Sequence, residues 1–384
     1  MGIPSYFSSI IKEYPHIIKK LLQSSISCDN FFLDSNSIVY DCARTIDFNT
    51  DPDSTPQEMV IKAVLKKIEE YISIVKPKNL IMISLDGTPP VAKLEQQRQR
   101  RYKSWYTTLK TSEDNFDELQ PPKRTFHTIE ITTGTKFMKD LNNALKKHFF
   151  DPSKYGVNHF IVSISDDAGE GESKIYEYMR TSNNILEKHV SLIYGLDADL
   201  IMLSINNLNH FPNLYLFRET PEFIKSLDSS LEPNENYVLD IPTLANNITS
   251  YMNNGKPETI DRSHDYIFLC FLLGNDFLPH NLSIDLRHNG HDILLDSYLD
   301  NYIISKEFLV DAKKLKINNR FLYAIFKIMC ANEDNILIKI QNKRNKFRMF
   351  NNKCENEFER RMNIISNSPI VNNTEERKVC FSKK

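Results

Sequence analysis

Short, near-continuous apolar runs alternate along this chain with longer stretches whose apolar positions return every third or fourth residue. FFLD (31–34), LIMISLD (80–86), FIVSIS (160–165) and SLIYGLD (191–197) are bounded by polar residues or glycine, as expected of strands buried on both faces. Between them the periodicity predicts helices over 57–75, 90–106, 135–149 and 170–187. Strand and helix in alternation imply an α/β fold with a mainly parallel central sheet flanked by helices. Further strands are predicted at 213–218 and 237–241 and helices at 242–253 and 262–274, after which the chain reads as helical and increasingly basic. NKRNKFR, residues 342–348, carries four cations and no acid. The residues after it are rich in Asn, Glu and Arg with little apolar periodicity, which predicts a mobile tail. The expected division is an α/β domain over 1–300, a helical basic extension over 301–350 and a tail over 351–384. No internal repeat is visible.

Composition narrows the classes. At 384 residues, 41% hydrophobic and 26% charged, the chain can bury a sizeable core. The six cysteines, Cys28, Cys42, Cys270, Cys330, Cys354 and Cys380, never form a C-x-x-C pair. That argues against a zinc knuckle or a secreted disulfide framework and for a reducing compartment. No apolar run has transmembrane length, and Tyr6 stands where the myristoylation pattern needs Ser or Thr. A cytoplasmic protein without a membrane partner is therefore expected, with the nucleus as the alternative compartment. The net charge of −2 excludes indiscriminate coating of nucleic acid but leaves room for a local basic groove.

What changes the picture is the placement of acids. Asp34 ends the first predicted strand and Asp86 the second, Glu170 and Glu172 follow the third, and Asp197 and Asp199 close the fourth. A parallel α/β sheet binds ligands outside the carboxyl ends of its strands, so these acids should converge on one crevice. Asp276, in LLGNDFLPH after an apolar helix, is a further candidate. A lone acid after a strand is as a rule a turn residue or helix cap, and acids in a first helical turn complement the helix dipole. Coincidence across four strands needs another explanation. Two unit charges about 4 Å apart repel by about 4 kcal/mol at an effective dielectric near 20, so converging carboxylates call for hard divalent cations. Oxygen ligation without His or Cys at metal spacing favours Mg²⁺, or Mn²⁺, over Zn²⁺. Two such ions are the usual apparatus for splitting a phosphodiester. The glycines of AGEGESK (168–174) would let backbone approach the ions closely.

A second constellation lies in TPPVAKLEQQRQRRYKSW. Pro89 and Pro90 suit a helix start, and Lys93, Gln97, Arg100 and Arg101 then fall at i, i+4, i+7 and i+8, on one face. Such a face either clamps a terminal phosphate or is simply solvated.

MGIPSYFSSIIKEYP, LDSNSIVYDC, LDGTPPVAKLEQQRQRRY, TTGTKFM, GEGESKI, GLDADLIML and FLLGNDFLPH occur in this order. Together they resemble the first conserved region of the Xrn-type 5′→3′ exoribonucleases over residues 1–345. The resemblance implies a PIN-like, 5′-nuclease fold in which two metal ions hydrolyse single-stranded RNA from a 5′-monophosphate end, releasing mononucleotides in RNA turnover. It implies that Asp34, Asp86, Glu170, Glu172, Asp197, Asp199 and Asp276 ligate the metals. It also implies that Lys93, Gln97, Arg100 and Arg101 hold the 5′-phosphate and that Asn36 supports the acidic cluster. Tyr40 stands where the family usually has a histidine that stacks on the first base, an exchange that stacking tolerates. The single tryptophan, Trp105, reads as packing or surface. The second conserved region is expected to be missing, as in a compact, virus-like member, which leaves a place for a second chain or a decapping factor to complete the site. Two alternatives stay open. One is a structure-specific 5′ nuclease acting on DNA, for which HNLSIDLRHNGHDILLDSYLD lacks the expected glycine hairpin. The other is a non-catalytic binder of RNA 5′ ends, which would have no use for seven mutually repelling acids.

Overall fold

The computed structural model describes residues 3, 5–24, 26–114, 124–182, 188–255, 261–278, 284, 286, 289–305, 307–331 and 333–351. The tail predicted over 351–384 lies, beyond Asn351, outside them. They fall into two compact units, one within 1–89 and 124–333 and one within 90–123 and 334–384.

The first unit is built on a seven-stranded sheet: β1 (Ile18–Lys20), β2 (Asn30–Asp34), β3 (Leu80–Ser84), β4 (His159–Ser163), β5 (Ser191–Tyr194), β6 (Leu214–Glu219) and β7 (Asn236–Asp240), in the order β1-β7-β6-β5-β2-β3-β4. The five strands from β6 through β4 are parallel; β7 and β1 close one edge antiparallel. A separate hairpin pairs β8 (Val310–Asp311) with β9 (Lys316–Ile317).

Every residue of β2, β3 and β5 is buried, which accounts for their unbroken apolar runs. Successive side chains enter different cores. Phe32, Met82 and Ile193 face one cluster, whereas Phe31, Leu33, Ile81, Ile83, Leu192 and Tyr194 face the other. The first core is covered by α1 (Tyr6–Glu13), α6 (Gly171–Thr181), α7 (Asp199–Asn207), α8 (Ile241–Met252) and α9 (Ser263–Phe271), with α10 (Gly290–Ser305) and α11 (Asn319–Cys330) packed beyond. The second is covered by α2 (Asn36–Thr45), α3 (Pro56–Val75) and α5 (Lys136–His148). Each fully buried Ile, Leu or Phe adds about 1.5–3 kcal/mol relative to exposure. The start of α3 is legible as Thr55-Pro-x-Glu58, a complete capping box with Pro56 in the first turn.

Two features position the site. The register aligns Leu33 with Tyr194, Asp34 with Ser84 and Ser84 with Ser163, so the carboxyl ends of β5, β2, β3 and β4 are level. In addition β2 lies between β5 and β3, so the chain winds one way through β3 and β4 and the other through β5 and β6. Strand β2 therefore opens the crevice that such a reversal creates.

The second unit contains α4 (Val91–Asp114) and most of α12 (Glu333–Asn351). Helix α4 runs beyond the expected end at 106, and α6 spans Gly171–Thr181, while residues 183–187 of the expected helix lie outside the described residues. Helices α1 and α2 escape periodicity because they are short. In α2, β-branched and polar residues, NSIVYDCART, have weak helix propensity. What holds that helix is the packing of Ile38, Val39 and Cys42 on the second core.

Candidate active site

Asp34 is the last residue of β2, and Asp86 follows β3 by two residues. Asp86 is fixed from three sides. Asn36 Nδ2 donates to its Oδ2 at 2.6 Å, the Gly171 amide donates to its Oδ1 at 2.7 Å, and its own amide donates to Asn36 Oδ1 at 3.1 Å. The Gly171 amide is one of the orphan donors of the first turn of α6, and a carboxylate is the partner that the helix N-terminus favours. Glu170 occupies the N-cap position of that helix and Glu172 its first turn. The loop between β4 and α6 is tied to the one after β3, for Gly87 N donates to Gly169 O at 2.8 Å and Gly169 N to Thr88 O at 3.0 Å. Thr133, from TTGTKFM, adds a hydroxyl bond to Gly87 O at 3.2 Å.

The result is a cluster in which Asp34, Asp86 and Glu172 each offer an oxygen within 4.8 Å of the others. Asp34 is 7% and Glu172 9% exposed. At that spacing each pair repels by roughly 3.5 kcal/mol for an effective dielectric of about 20. Glycine at 171 makes the cluster possible, since a Cβ there would collide with Asp34 Oδ1 and crowd Asp34 Cγ at 3.3 Å and Asp86 Oδ1 at 3.4 Å. A crowded, oxygen-only donor set of three carboxylates fits a hard divalent cation.

Of the other predicted ligands, Glu170 and Asp276 are buried, and Asp197 and Asp199 are half-buried after β5 and at the start of α7. Among the described residues, the grouping within 4.8 Å stops at Asp34, Asp86 and Glu172. Asp197 is electrostatically coupled to Arg218 of β6, a buried guanidinium held 3.7 Å over the ring of Phe7 and lowered by burial to about 10. Asp167 caps its own loop by accepting from Ser163 Oγ and Ile164 N, both at 3.0 Å.

The predicted phosphate face belongs to α4 in the second unit. Lys93 is buried, Gln97 and Arg101 are half-buried, and Arg100 is exposed. Arg101 Nη2 donates to Gln97 Oε1 at 3.1 Å, so these two act as one fork. Tyr40 is half-buried on α2, with the Arg44 guanidinium 5.8 Å from its ring centre. Trp105 is 46% exposed and packs on Tyr102 with ring centres 5.6 Å apart.

Sequence reasoning passed over Lys174. Its ammonium donates to Ile164 O at 2.9 Å and is lowered by burial, against the opposing charges of Asp167, Asp86 and Asp34. It was findable, being one helical turn after Glu170 on the same face. Arg218 carried no comparable signal.

A mainly parallel sheet whose level strand ends gather carboxylates at a topological switch point defines an α/β protein with a candidate metal centre. The model of the XRN 5′-3′ exonuclease N-terminus matches residues 1–220, and that of the Xrn1 helical domain matches residues 258–383. The chain belongs to the XRN 5′-3′ exonuclease family. Similar curated proteins include 5′-3′ exoribonuclease 1 of Saccharomyces cerevisiae, 30% identical over 89% of this chain and 24% of its own length. Others are 5′-3′ exoribonuclease 2 of Arabidopsis thaliana, 27% identical over 85% and 39%, and 5′-3′ exoribonuclease 1 of Schizosaccharomyces pombe, 32% identical over 78% and 24%. The chain thus spans between 24% and 39% of the length of these relatives. Among solved structures, the catalytic core of Rad2 in complex with DNA substrate overlaps 86% of this chain and 81% of its own, with 16% identity and a TM-score of 0.41, a loose likeness. The helical-domain match corrects one expectation, since the likeness runs to residue 383 instead of ending near 345. The reading as a compact, virus-like form is not borne out. No helix among the described residues is long and apolar enough to cross a membrane.

Proposed function

We propose that this chain carries the nuclease centre of a Mg²⁺-dependent 5′→3′ exoribonuclease that degrades 5′-monophosphorylated single-stranded RNA to mononucleotides. The observation that carries this reading is the convergence of Asp34, Asp86 and Glu172 within 4.8 Å, in a chain of this family. These three would hold one ion. Glu170, Asp197, Asp199 and Asp276 are proposed for a second, and Mn²⁺ should replace Mg²⁺ in either. When bound, the metal supplies charge stabilisation and an activated water.

The protein's own groups do the positioning. Asn36 and the Gly171 amide hold Asp86 with both oxygens engaged, so its orientation is set before metal arrives. Lys174 offsets part of the negative charge. The Gln97–Arg101 fork, with Lys93 and Arg100, is proposed to take the 5′-phosphate, for which planar bidentate donors are suited. Tyr40 is proposed to stack on the first base. RNA is the proposed partner, in the cytoplasm or nucleus, with a decapping enzyme or a second chain as a supplier of 5′-monophosphate ends or of further site residues.

The test is degradation of matched RNAs bearing 5′-monophosphate, 5′-triphosphate or 5′-hydroxyl ends, and of the same sequence in DNA, with Mg²⁺ or with chelator. Mononucleotides should appear from 5′-monophosphate RNA alone and only with metal. Preferential cleavage of DNA, or metal-independent release, would overturn the proposal.

A further inference from the structure

A second constellation lies elsewhere in the first unit, where the last residue of α1, Glu13, meets the first turn of α10. Glu13, His291 and Asp292 each offer a ligand atom within 4.8 Å of the others. Two carboxylates alone would mean little. What distinguishes this place is His291, which is 4% exposed and has no hydrogen-bond partner for either ring nitrogen among the described residues. Its ring meets Tyr266 edge-on at 5.7 Å and Tyr6 at 6.5 Å. The hydroxyls of those tyrosines bond each other at 2.8 Å. Nδ1 stands 3.9 Å from Asp292 Oδ1, too far for a hydrogen bond. A buried imidazole is ordinarily satisfied by protein or water. Here it faces two carboxylates on exposed residues, Glu13 and Asp292, which leave a path to solvent.

We propose that Glu13, His291 and Asp292 form a divalent-cation site of the Zn²⁺ class that pins the end of α1 to the start of α10. The chemistry differs from that of the nuclease centre. An imidazole nitrogen with two carboxylates suits Zn²⁺ and its transition-metal neighbours, whereas three carboxylates suit Mg²⁺. Three protein ligands leave further positions for water. Burial also lowers the His291 pKa, which favours the neutral, ligating imidazole. The cost of leaving these groups as they stand is replaced, when a cation binds, by three favourable contacts joining elements remote in sequence.

The proposal does not depend on the nuclease reading, and its test does not use activity. The full chain, stripped with chelator, is dialysed against Zn²⁺ in excess Mg²⁺, and bound zinc is measured by mass spectrometry. Co²⁺ replaces Zn²⁺ for visible absorption, and circular dichroism checks folding. One tightly held zinc should remain in the wild type, in Asp34→Asn, and in a variant with Cys330, Cys354 and Cys380 changed to Ser. His291→Ala should lose it, and Glu13→Gln or Asp292→Asn should weaken it by at least about tenfold, since even outer-shell changes cost 10- to 100-fold. If His291→Ala does not fold, the two carboxylate variants, at exposed positions, decide. Zinc that is absent from the wild type, insensitive to both carboxylate changes, or lost with the cysteines or with Asp34 would overturn the proposal.

Discussion

Replacing Gly171 by Ala isolates the geometry of the nuclease centre from its chemistry, because no ligand and no charge is removed. Gly171 opens α6 without a positive φ, so the backbone itself tolerates alanine. Helix propensity even favours the change by roughly 0.5–1 kcal/mol. The new methyl, however, would fall on Asp34 Oδ1 and press on Asp34 Cγ and Asp86 Oδ1, which stand 3.3 and 3.4 Å from its position. The Asp34 carboxylate must yield by roughly an ångström, and a displacement of that size in a positioned group costs about 100-fold in rate, or ~2.7 kcal/mol in barrier height. Overpacking takes about 1–3 kcal/mol from stability, partly offset by the helical gain, so the protein should stay folded. The assay is single-turnover hydrolysis of 5′-monophosphate RNA at saturating Mg²⁺, beside thermal unfolding with and without metal. Gly169→Ala is the control. There φ is +101°, so strain is expected, but its Cβ meets only Lys174 Cγ at 3.4 Å and no acid. It should lose stability with a smaller loss of rate. A folded Gly171→Ala protein that cleaves at the wild-type rate would refute the reasoning that Asp34 acts from the position seen here.

Further expectations follow from the same sites. Asp199→Ala should reduce hydrolysis by several orders of magnitude while RNA binding persists, and wild-type turnover would remove Asp199 from the metal site. Arg100→Ala should cost about 1.5–3 kcal/mol on 5′-monophosphate RNA and little on 5′-hydroxyl RNA, whereas equal losses would make the α4 face merely solvated. Mg²⁺ at about 100 times its dissociation constant should stabilise the fold by about 2.7 kcal/mol in a thermal melt, and Asp86→Asn should abolish most of that shift. Asp265→Ala should destabilise by about 3–5 kcal/mol in denaturant titration, because it strands Arg262, 1% exposed and 3.7 Å from that carboxylate, and unpairs the Leu309 and Val310 amides. A loss under 1 kcal/mol would mean water takes the place of the carboxylate.

Local pattern determined much of this protein. The six strands expected from apolar runs are all present within three residues of their expected limits, since a strand covered on both faces must be apolar at every position. The acids at their ends were equally plain, and the ordered motifs placed the chain in its family. Other features were decided by contacts that no local window contains. Strand order put β2 between β5 and β3, and only that adjacency levels Asp34 with Ser84 and brings Asp86 alongside. Sequence offered seven acids as equals; packing drew three of them within 4.8 Å and left the others outside that group. Asn36 and the Gly171 amide meet at Asp86 across separations of 50 and 85 residues. The buried imidazole of His291 faces Glu13 from the opposite end of the unit's sequence. Periodicity reports which side of an element is buried, a property of neighbouring residues. Which side chains share a site depends on the register and order in which those elements pack, and that is settled by the whole core at once.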